Sequence, residues 1–320
     1  MPKSLLEFAD WLDRKELLWP AAPPPTLPKA TPFLLPLPEI RAVTWSVYGT
    51  LLLVADGKLL PTVPERMRME IALEKTIHEF NMWNSMSRKP GAPWEYMLQQ
   101  LQSLVEARQL SGTGKKGESP EVSLPAVWST LIERLQQKDY VWDEQALGAI
   151  DEFSEKVAYF FQSCLQGMRA APNALAALQH VRQCHFRQGI IADGQSFTLV
   201  QLVRMLRAQG EPPPLTRLFT SGCVSLSYQL GVRQPSSGLF EASLAALDER
   251  GIAPHQVVHI ASRVRDELAP AKKLGMKTAL FAGDRLSLQA TGADMQDSQL
   301  RPDRILTDLR QLRQIVRPEP

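Results

Sequence analysis

Short apolar runs alternate with helically spaced apolar positions through the second half of the chain. From about residue 172, some segments repeat apolar residues every three or four positions, while others are short and almost continuously apolar. Helices of this length between strands favour a parallel sheet with helices on both faces, because parallel strands need crossover connections. The predicted strands are "FRQGIIADG", "LTRLFTS", "QVVHIAS" and "KTALFAG", joined by helices such as "SFTLVQLVRMLRAQG" and "SGLFEASLAALDERG". The earlier apolar run at 41–47 is assigned to the same sheet.

A long helical stretch separates this first strand from the others. Residues 62–110 and 125–168 carry apolar positions at helical spacing, as in "EVSLPAVWSTLIERLQQ". Between them, "SGTGKKGES" (111–119) is rich in Gly and Lys, but it lacks the order GxxxxGK[ST] of a phosphate-binding loop, and no strand precedes it. We therefore predict a solvated loop there, within a helical insertion that spans about 56–171.

Two further segments precede the first strand. Residues 4–18 predict an amphipathic helix with Ser4 as its N-cap. The segment Pro20–Pro38 contains eight prolines, which remove amide donors and favour extended backbone. Because residues 33–37 are too apolar for a free linker, we expect this segment to pack along the body of the protein. A recruitment motif for a proline-binding partner is the alternative.

Composition excludes some classes of function. The chain has 320 residues, 44% of them hydrophobic, and a formal net charge of +2 without a clustered basic stripe. We therefore expect no nucleic-acid partner and, with no apolar run near the roughly 20 residues of a membrane span, no membrane partner. The cysteines Cys164, Cys184 and Cys223 form no CxxC pair, which argues against a disulfide framework or a zinc site and favours a reducing, cytoplasmic location. The acids among the apolar residues at the N-terminus are not typical of a secretory signal.

Four segments resemble the motifs of a known superfamily. "AVTWSVYGTLL" is similar to a hydrophobic strand followed by DxDGTL, and "GIIADGQSF" is similar to a strand that ends in Ser or Thr. "LGVRQPSSGLFEASLAAL" is similar to GxxKPxxxxFxxAL, and "VVHIASRVRDELAPAKKLGMKTAL" is similar to hhxVGDSxxxDxxxAxxxGxxT. In this order the segments resemble the haloacid dehalogenase (HAD) superfamily over residues 41–310. The resemblance implies an α/β fold with a Rossmann-like parallel sheet core and an α-helical cap inserted after the first strand.

The resemblance also divides the chain and gives a role to each motif position. It implies an N-terminal extension at 1–39, a core at 40–55 and 172–320, and a cap at 56–171. In the superfamily a carboxylate attacks phosphorus, a second carboxylate acts as acid and base, Mg²⁺ neutralises charge, and a hydroxyl and a lysine hold the transferring oxygens. The corresponding positions here are Ser46 (nucleophile), Tyr48 (acid and base), Ala192 (hydroxyl), Gln234 (lysine), Ser262 (the Asp of the fourth motif) and Glu267 (its final metal-binding acid).

Only the last of these positions keeps a carboxylate. Mg²⁺ prefers octahedral oxygen ligands, so the one remaining carboxylate at Glu267, a backbone carbonyl near Tyr48 and a serine hydroxyl form a poor metal site. Gln234 removes a positive charge from the place where negative charge would develop. A nucleophilic Ser46 needs an adjacent base, and a tyrosine with an ordinary pKa near 10 does not supply one. We predict no catalytic residue, no metal and no cofactor, and Glu267 is the candidate ligand if Mg²⁺ does bind.

Other residues are expected to line the same cleft or support it. Gly49 and Thr50 preserve the turn after the first strand. Asp193 is predicted to cap a helix that starts near Ser196; the alternative is that it makes the cleft acidic. His259 lies within a strand and is predicted to be a core residue. The predicted cleft-lining set is Ser46, Tyr48, Thr50, Asp193, Gln234, Asp266 and Glu267.

The sequence therefore yields two hypotheses about function. The first is a HAD-like pseudoenzyme that has lost phosphatase or dehalogenase chemistry and acts by binding a protein partner or a small ligand. The alternative is a HAD-family hydrolase of altered mechanism that acts on a small phosphorylated or halogenated metabolite, with Mg²⁺ held by Glu267 and Asp266.

Overall fold

The strands of the molecule form two sheets in the computed structural model, which describes residues 1–15, 17–86, 91–112 and 118–317. The strands are β1 (Ala42–Trp45), β2 (Leu52–Val54), β3 (Met168–Ala170), β4 (Arg187–Ala192), β5 (Val224–Leu226), β6 (Val257–Ala261), β7 (Lys277–Phe281) and β8 (Arg304–Leu306). Within the described ranges, six of them form a parallel sheet in the order β5-β4-β1-β6-β7-β8. The other two, β2 and β3, pair antiparallel.

Helices connect these strands and cover the sheet. They are α1 (Leu5–Asp13), α2 (Arg66–Glu79), α3 (Pro93–Leu110), α4 (Leu124–Gln136), α5 (Glu144–Leu147), α6 (Ile150–Leu165), α7 (Ala174–Gln183), α8 (Thr198–Leu206), α9 (Leu215–Leu218), α10 (Ser227–Leu230), α11 (Gly238–Asp248), α12 (Ala269–Lys273), α13 (Gly292–Gln296) and α14 (Leu312–Ile315). A π-helical turn, Val264–Leu268, precedes α12. Searched over the described ranges, the chain has no helix long and apolar enough to cross a membrane.

The central strand β1 shows how the sheet is covered on both faces. Val43 and Trp45 pack into a cluster that includes side chains of α7 and α8. Ala42, which points to the opposite face, packs into a second cluster with side chains of α11. This arrangement confirms the predicted α/β fold class with a parallel sheet core.

The chain between β2 and β3 is largely helical in its described part. Helices α2 to α6 share an apolar cluster that is separate from the clusters on the sheet. The antiparallel pair of β2 and β3 lies at the two ends of this insertion, where Leu53 lies opposite Arg169. The core and cap boundaries drawn from the sequence remain a prediction, and the central residues 113–117 of the predicted solvated loop lie outside the described part.

The N-terminal segment, described over residues 1–15 and 17–40, contacts the helical insertion and also helix α8 of the sheet region. Its helix α1 has the predicted N-cap, because the Ser4 hydroxyl accepts a hydrogen bond from the Glu7 amide, but it ends at Asp13 and not near residue 18. Asp13 forms an ion pair with Arg204 of α8. Trp19 packs edge-on against Phe160 of α6, with ring centroids 5.6 Å apart. The segment thus ties α6, from the helical insertion, to α8.

The proline-rich part of this segment then follows the edge of the sheet. The Thr26 carbonyl accepts a hydrogen bond from the Arg285 amide at 2.7 Å, and Phe33 forms a β-bridge with Ile305 of β8. The Leu37 amide donates to the Ile315 carbonyl at 2.8 Å. These contacts agree with the expectation that the segment packs along the body of the protein.

One predicted strand is wrong. The segment "LTRLFTS" contains helix α9, and the edge strand is instead β5, a few residues further along the chain. Three prolines precede α9, and the carbonyl of Pro214 accepts the amide hydrogens of Arg217 and Leu218, which starts a helical turn. The apolar residues of this turn, Leu218 and Phe219, pack under the sheet and do not join it.

Candidate functional site

The predicted site residues gather where the central strands end. Trp45, the last residue of β1, lies beside Ile190 of β4 and Ile260 of β6. The turns that follow these strands therefore meet at one edge of the sheet. In open α/β sheets the ligand crevice lies outside this carboxyl edge. The cleft is bounded by the turns 46–50, 193–197, 231–236 and 262–267.

Ser46 and Glu267, which are far apart in sequence, are hydrogen-bonded at the base of this cleft. The Ser46 hydroxyl donates to Oε1 of Glu267, and the backbone amide of Arg263 donates to Oε2 at 2.9 Å. Both Ser46 and Glu267 are buried, with 1% and 0% of their surface exposed. Burial raises the pKa of Glu267 above its usual range, although the charge of Arg263 and the serine hydroxyl favour the carboxylate. Both carboxylate oxygens already accept hydrogen bonds.

Arg263 joins this pair to the turn after β1. Its Nη2 donates to the backbone carbonyl of Tyr48 at 2.9 Å and lies 3.6 Å from Oε1 of Glu267. The turn fits closely against the strand that precedes Arg263. Gly49 has φ of +92°, and a Cβ atom there would lie 2.5 Å from the hydroxyl of Ser262. Glycine therefore permits both this left-handed backbone conformation and the close contact between the turn and Ser262.

The side chain of Tyr48 is hydrogen-bonded to helix α8. Its hydroxyl contacts the Thr198 hydroxyl at 2.9 Å and donates to the side-chain carbonyl of Gln201 at 2.7 Å, both on α8. Burial raises the pKa of Tyr48 far above its usual value. The phenol is therefore protonated near neutral pH and engaged in two hydrogen bonds with α8.

The remaining motif positions carry no charge. Ala192 is buried at the end of β4. Gln234, Ser262 and Thr50 are also buried. In the part of the chain that the structure describes, their polar side-chain atoms have no hydrogen-bond partner. Such a set can accept or donate to a neutral polar group but provides no cation for a phosphate.

The predicted role of Asp193 is wrong. Helix α8 begins at Thr198 with Phe197 as its N-cap, and Asp193 does not cap it. Its carboxylate instead accepts the backbone amide of Gln234 at 2.8 Å and pairs with the Arg233 guanidinium at 3.3 Å. The loop 231–236 carries strong donors, and these compete successfully for the carboxylate. Asp193 is therefore paired with Arg233 and is not the unpaired acid of the alternative that the sequence offered.

Sequence reasoning missed Arg233 and Glu121, which close the mouth of the cleft. Burial raises the pKa of Glu121 to about 7, against the opposing effects of Arg233 and of the hydrogen bond from the Ser227 hydroxyl. Glu121 also accepts a hydrogen bond from Gln195 at 3.2 Å. Burial lowers the pKa of Arg233, but the nearby carboxylates, of which half-buried Asp266 is one, raise it overall.

The backbone contacts near Glu121 explain why no sequence motif points to this residue. Pro120 forms an antiparallel bridge with Val232, and the Glu121 amide donates to the Gly231 carbonyl at 2.9 Å. The helical insertion thus reaches across and pairs with the loop that carries Arg233. No motif contains Glu121, because its partners come from distant parts of the chain. Arg233 could have been noticed as the neighbour of Gln234.

The oxygen donors of the cleft do not fit Mg²⁺. A hard divalent cation needs free oxygen ligands in octahedral geometry. Here the carboxylate of Glu267 and the carbonyl of Tyr48 already accept hydrogen bonds, and a guanidinium lies between them. Searched over the described ranges, the chain has no group of three or more His, Cys, Asp or Glu residues that could hold a metal ion.

His259 is the imidazole nearest to these turns, and it is a core residue. Its Nδ1 lies 3.0 Å from the Thr44 hydroxyl, and its ring packs edge-on against Phe240 at 5.4 Å. Burial lowers the pKa of His259 to about 3, so the ring is neutral at physiological pH. The sequence-based expectation of a core histidine is confirmed.

Comparisons with known proteins bear on the fold. No family model matches the chain, and no curated protein matches it significantly in sequence. Among solved structures, it is similar to a 2-haloacid dehalogenase from Pseudomonas syringae pv. Tomato DC3000, with 19% identity, coverage of 85% of this chain and 96% of that chain, and a TM-score of 0.51. A HAD phosphatase from Thermococcus onnurineus shares 16% identity over 88% of this chain and 99% of that chain, with a TM-score of 0.48. The first of these likenesses, together with the parallel sheet order, shows that the chain has the HAD-like fold.

Proposed function

We propose that this chain is a HAD-like pseudoenzyme, which has lost phosphatase and dehalogenase chemistry and acts by binding a small ligand or another protein. The observation that carries the proposal is the buried hydrogen bond between Ser46 and Glu267. It places a neutral hydroxyl, already engaged, at the position where the resemblance requires a free carboxylate nucleophile. Covalent catalysis needs that group accessible to substrate and activated by a base.

The surroundings of Ser46 support the same conclusion. Tyr48 is a buried phenol with a raised pKa, and Gln234 is uncharged. Electrostatic stabilisation of a transferring phosphoryl group is usually the largest catalytic contribution, and it requires fixed positive charge at the reacting oxygens. Among the cations that line the cleft, Arg233 and Arg263 are each held by carboxylates, and Lys58 is exposed at the mouth. Neither arginine is free to bind substrate oxygens.

Part of the helical insertion covers the mouth of the cleft, which supports a role in binding and not in turnover. The segment around Glu121 lies across it, held by the bridge from Pro120 to Val232 and by the hydrogen bond from Ser227. We propose that the helical insertion is the cap of the fold and that it stays closed on the core. A ligand or partner then meets the outer surface or the mouth, where Lys58, Gln195 and Arg233 lie.

Turnover and ligand binding can be measured together. Purified protein with Mg²⁺ is incubated with a panel of phosphorylated metabolites and 2-haloacids, and release of phosphate or halide is measured beside the thermal midpoint. We expect product release no greater than that of Ser46→Ala, and a raised midpoint with any compound that binds. Turnover by the wild type that Ser46→Ala abolishes would overturn the proposal.

A hydrolase of altered mechanism is the second candidate, and the same hydrogen bond favours it. A serine hydroxyl that donates to a carboxylate has the geometry of a nucleophile with its base. This candidate predicts that Glu267→Gln abolishes turnover as completely as Ser46→Ala does. It also requires the cleft to open, because both side chains are buried.

A further inference from the structure

Arg263 contacts a second turn of the cleft in addition to its ion-pair partner Glu267. Its Nη2 donates to the Tyr48 carbonyl at 2.9 Å and lies 3.6 Å from the Glu267 carboxylate, and its side chain is only 7% exposed. A contact with Glu267 alone would be an ordinary pair of residues four apart on a helical turn. The bond to Tyr48 is different, because it joins the turn after β6 to the turn after β1.

The groups that Arg263 joins are oxygen donors of the kind that a hard cation takes. Glu267 supplies a buried carboxylate and Tyr48 a backbone carbonyl, and both face the same point in the cleft. A buried carboxylate needs a positive partner or it becomes protonated. A guanidinium suits this place because it is always charged and presents several donors in a fixed plane.

We propose that the guanidinium of Arg263 is a built-in cation, which takes the place of a divalent metal in this cleft and prevents Mg²⁺ from binding there. The proposal rests on the proposed loss of metal-dependent hydrolysis and adds the group that replaces the metal. Arg263 holds the turns after β1 and β6 together by binding their oxygens, so the edge of the sheet keeps its arrangement without an ion. A metal ion at the same point would meet the guanidinium charge at close range.

The proposal is tested by restoring carboxylates with and without Arg263. The variant Ser46→Asp/Ser262→Asp supplies the acids that the resemblance expects, and the matched variant Ser46→Asp/Ser262→Asp/Arg263→Ala removes the guanidinium as well. Both are titrated with Mg²⁺ by isothermal calorimetry, next to the wild type. We expect no binding to the wild type and binding at least about tenfold tighter when Arg263 is absent.

Equal Mg²⁺ affinity in the two matched variants, or binding by the wild type, would overturn the proposal. So would failure of the folded triple variant Ser46→Asp/Ser262→Asp/Arg263→Ala, checked by circular dichroism, to bind Mg²⁺. If that variant does not fold, Arg263→Gln replaces it, since it keeps the volume and a hydrogen-bond donor. A Mg²⁺-dependent rise in thermal midpoint, seen only without the guanidinium, then supports the proposal, and no difference overturns it.

These outcomes are separable from those of the proposed function. Wild-type protein that binds Mg²⁺ but releases no product contradicts the role of Arg263 and leaves the pseudoenzyme proposal standing. Turnover without Mg²⁺ that is lost in Ser46→Ala contradicts the pseudoenzyme proposal and leaves the role of Arg263 standing.

Discussion

The contact between the N-terminal segment and helix α8 gives a prediction that compares two arginines. Arg204 donates to Asp13 with two nitrogens, donates to the Tyr159 hydroxyl at 3.1 Å and lies 5.0 Å from the Trp19 ring centroid. Its side chain is 10% exposed. Arg207, just after α8, pairs with Asp10 in the same segment, but both side chains are about one-third exposed. Both are Arg–Asp pairs, and they differ in the burial of the arginine and in the further contacts that Arg204 makes with Tyr159 and Trp19.

The expected losses follow from that difference. A hydrogen bond to a charged group contributes roughly 1.5–3 kcal/mol, which must be discounted because Asp13 is 41% exposed. The arginine over Trp19 adds about 0.5–1 kcal/mol. We expect Arg204→Ala to lower the free energy of unfolding by about 2–3 kcal/mol. The matched control Arg207→Ala should lower it by less than about 1 kcal/mol, as exposed ion pairs do.

Urea denaturation followed by circular dichroism measures both losses. The double variant Asp13→Ala/Arg204→Ala should lose less than the sum of its single variants, because the two residues are in direct contact. Equal losses for Arg204→Ala and Arg207→Ala would refute the reasoning, since the burial and the further contacts of Arg204 would then have no influence. Strict additivity in the double variant would show that the ion pair carries none of the effect.

Three other substitutions and one control test the site and the sheet. Because the pKa of Glu121 is raised to about 7 in the folded protein, the native state binds more protons than the unfolded chain between about pH 4.5 and 7, and stability falls as pH rises through this window. Glu121→Gln should remove up to about 3 kcal/mol of this dependence, measured by urea titration at several pH values. The pKa of His259 is lowered to about 3, so this residue has the opposite effect on stability. The free energy of unfolding falls as pH drops from about 6.5 towards 3, and His259→Leu should flatten this acid part of the curve. A Cβ atom at Gly189 of β4 would lie 2.4 Å from the Cys223 carbonyl, so Gly189→Ala should lower the free energy of unfolding by about 1–3 kcal/mol, whereas Gly292→Ala, with nothing within 4 Å, should change it little.

The sequence was most informative where apolar pattern determines structure. The central strands β1 and β6 are buried throughout, β4 and β7 are buried after their first residue, and their apolar runs predicted them. The motif order also predicted that Ser46 and Glu267 would share one cleft, since both follow central strands. Pattern failed at "LTRLFTS", where prolines start a helical turn in a segment whose residues also suit a strand.

The details of the site depend on contacts that no local pattern records. Asp193 binds Arg233 and the Gln234 amide because the loop 231–236 folds back beside β4, and the sequence around Asp193 contains no sign of that loop. Glu121 reaches the cleft only through the pairing of Pro120 with Val232. Arg263 stands between ordinary strand and helix residues, and its role follows only from the position of the Tyr48 carbonyl.

A crystal structure grown with Mg²⁺ and a phosphate mimic such as beryllium fluoride tests the central claim most directly. Our account predicts that the Arg263 guanidinium remains on the Tyr48 carbonyl, that Ser46 still donates to Glu267, and that no metal density lies between them. A Mg²⁺ ion coordinated by Glu267 and the Tyr48 carbonyl, with Arg263 turned away, would contradict the claim that Arg263 takes the place of the metal.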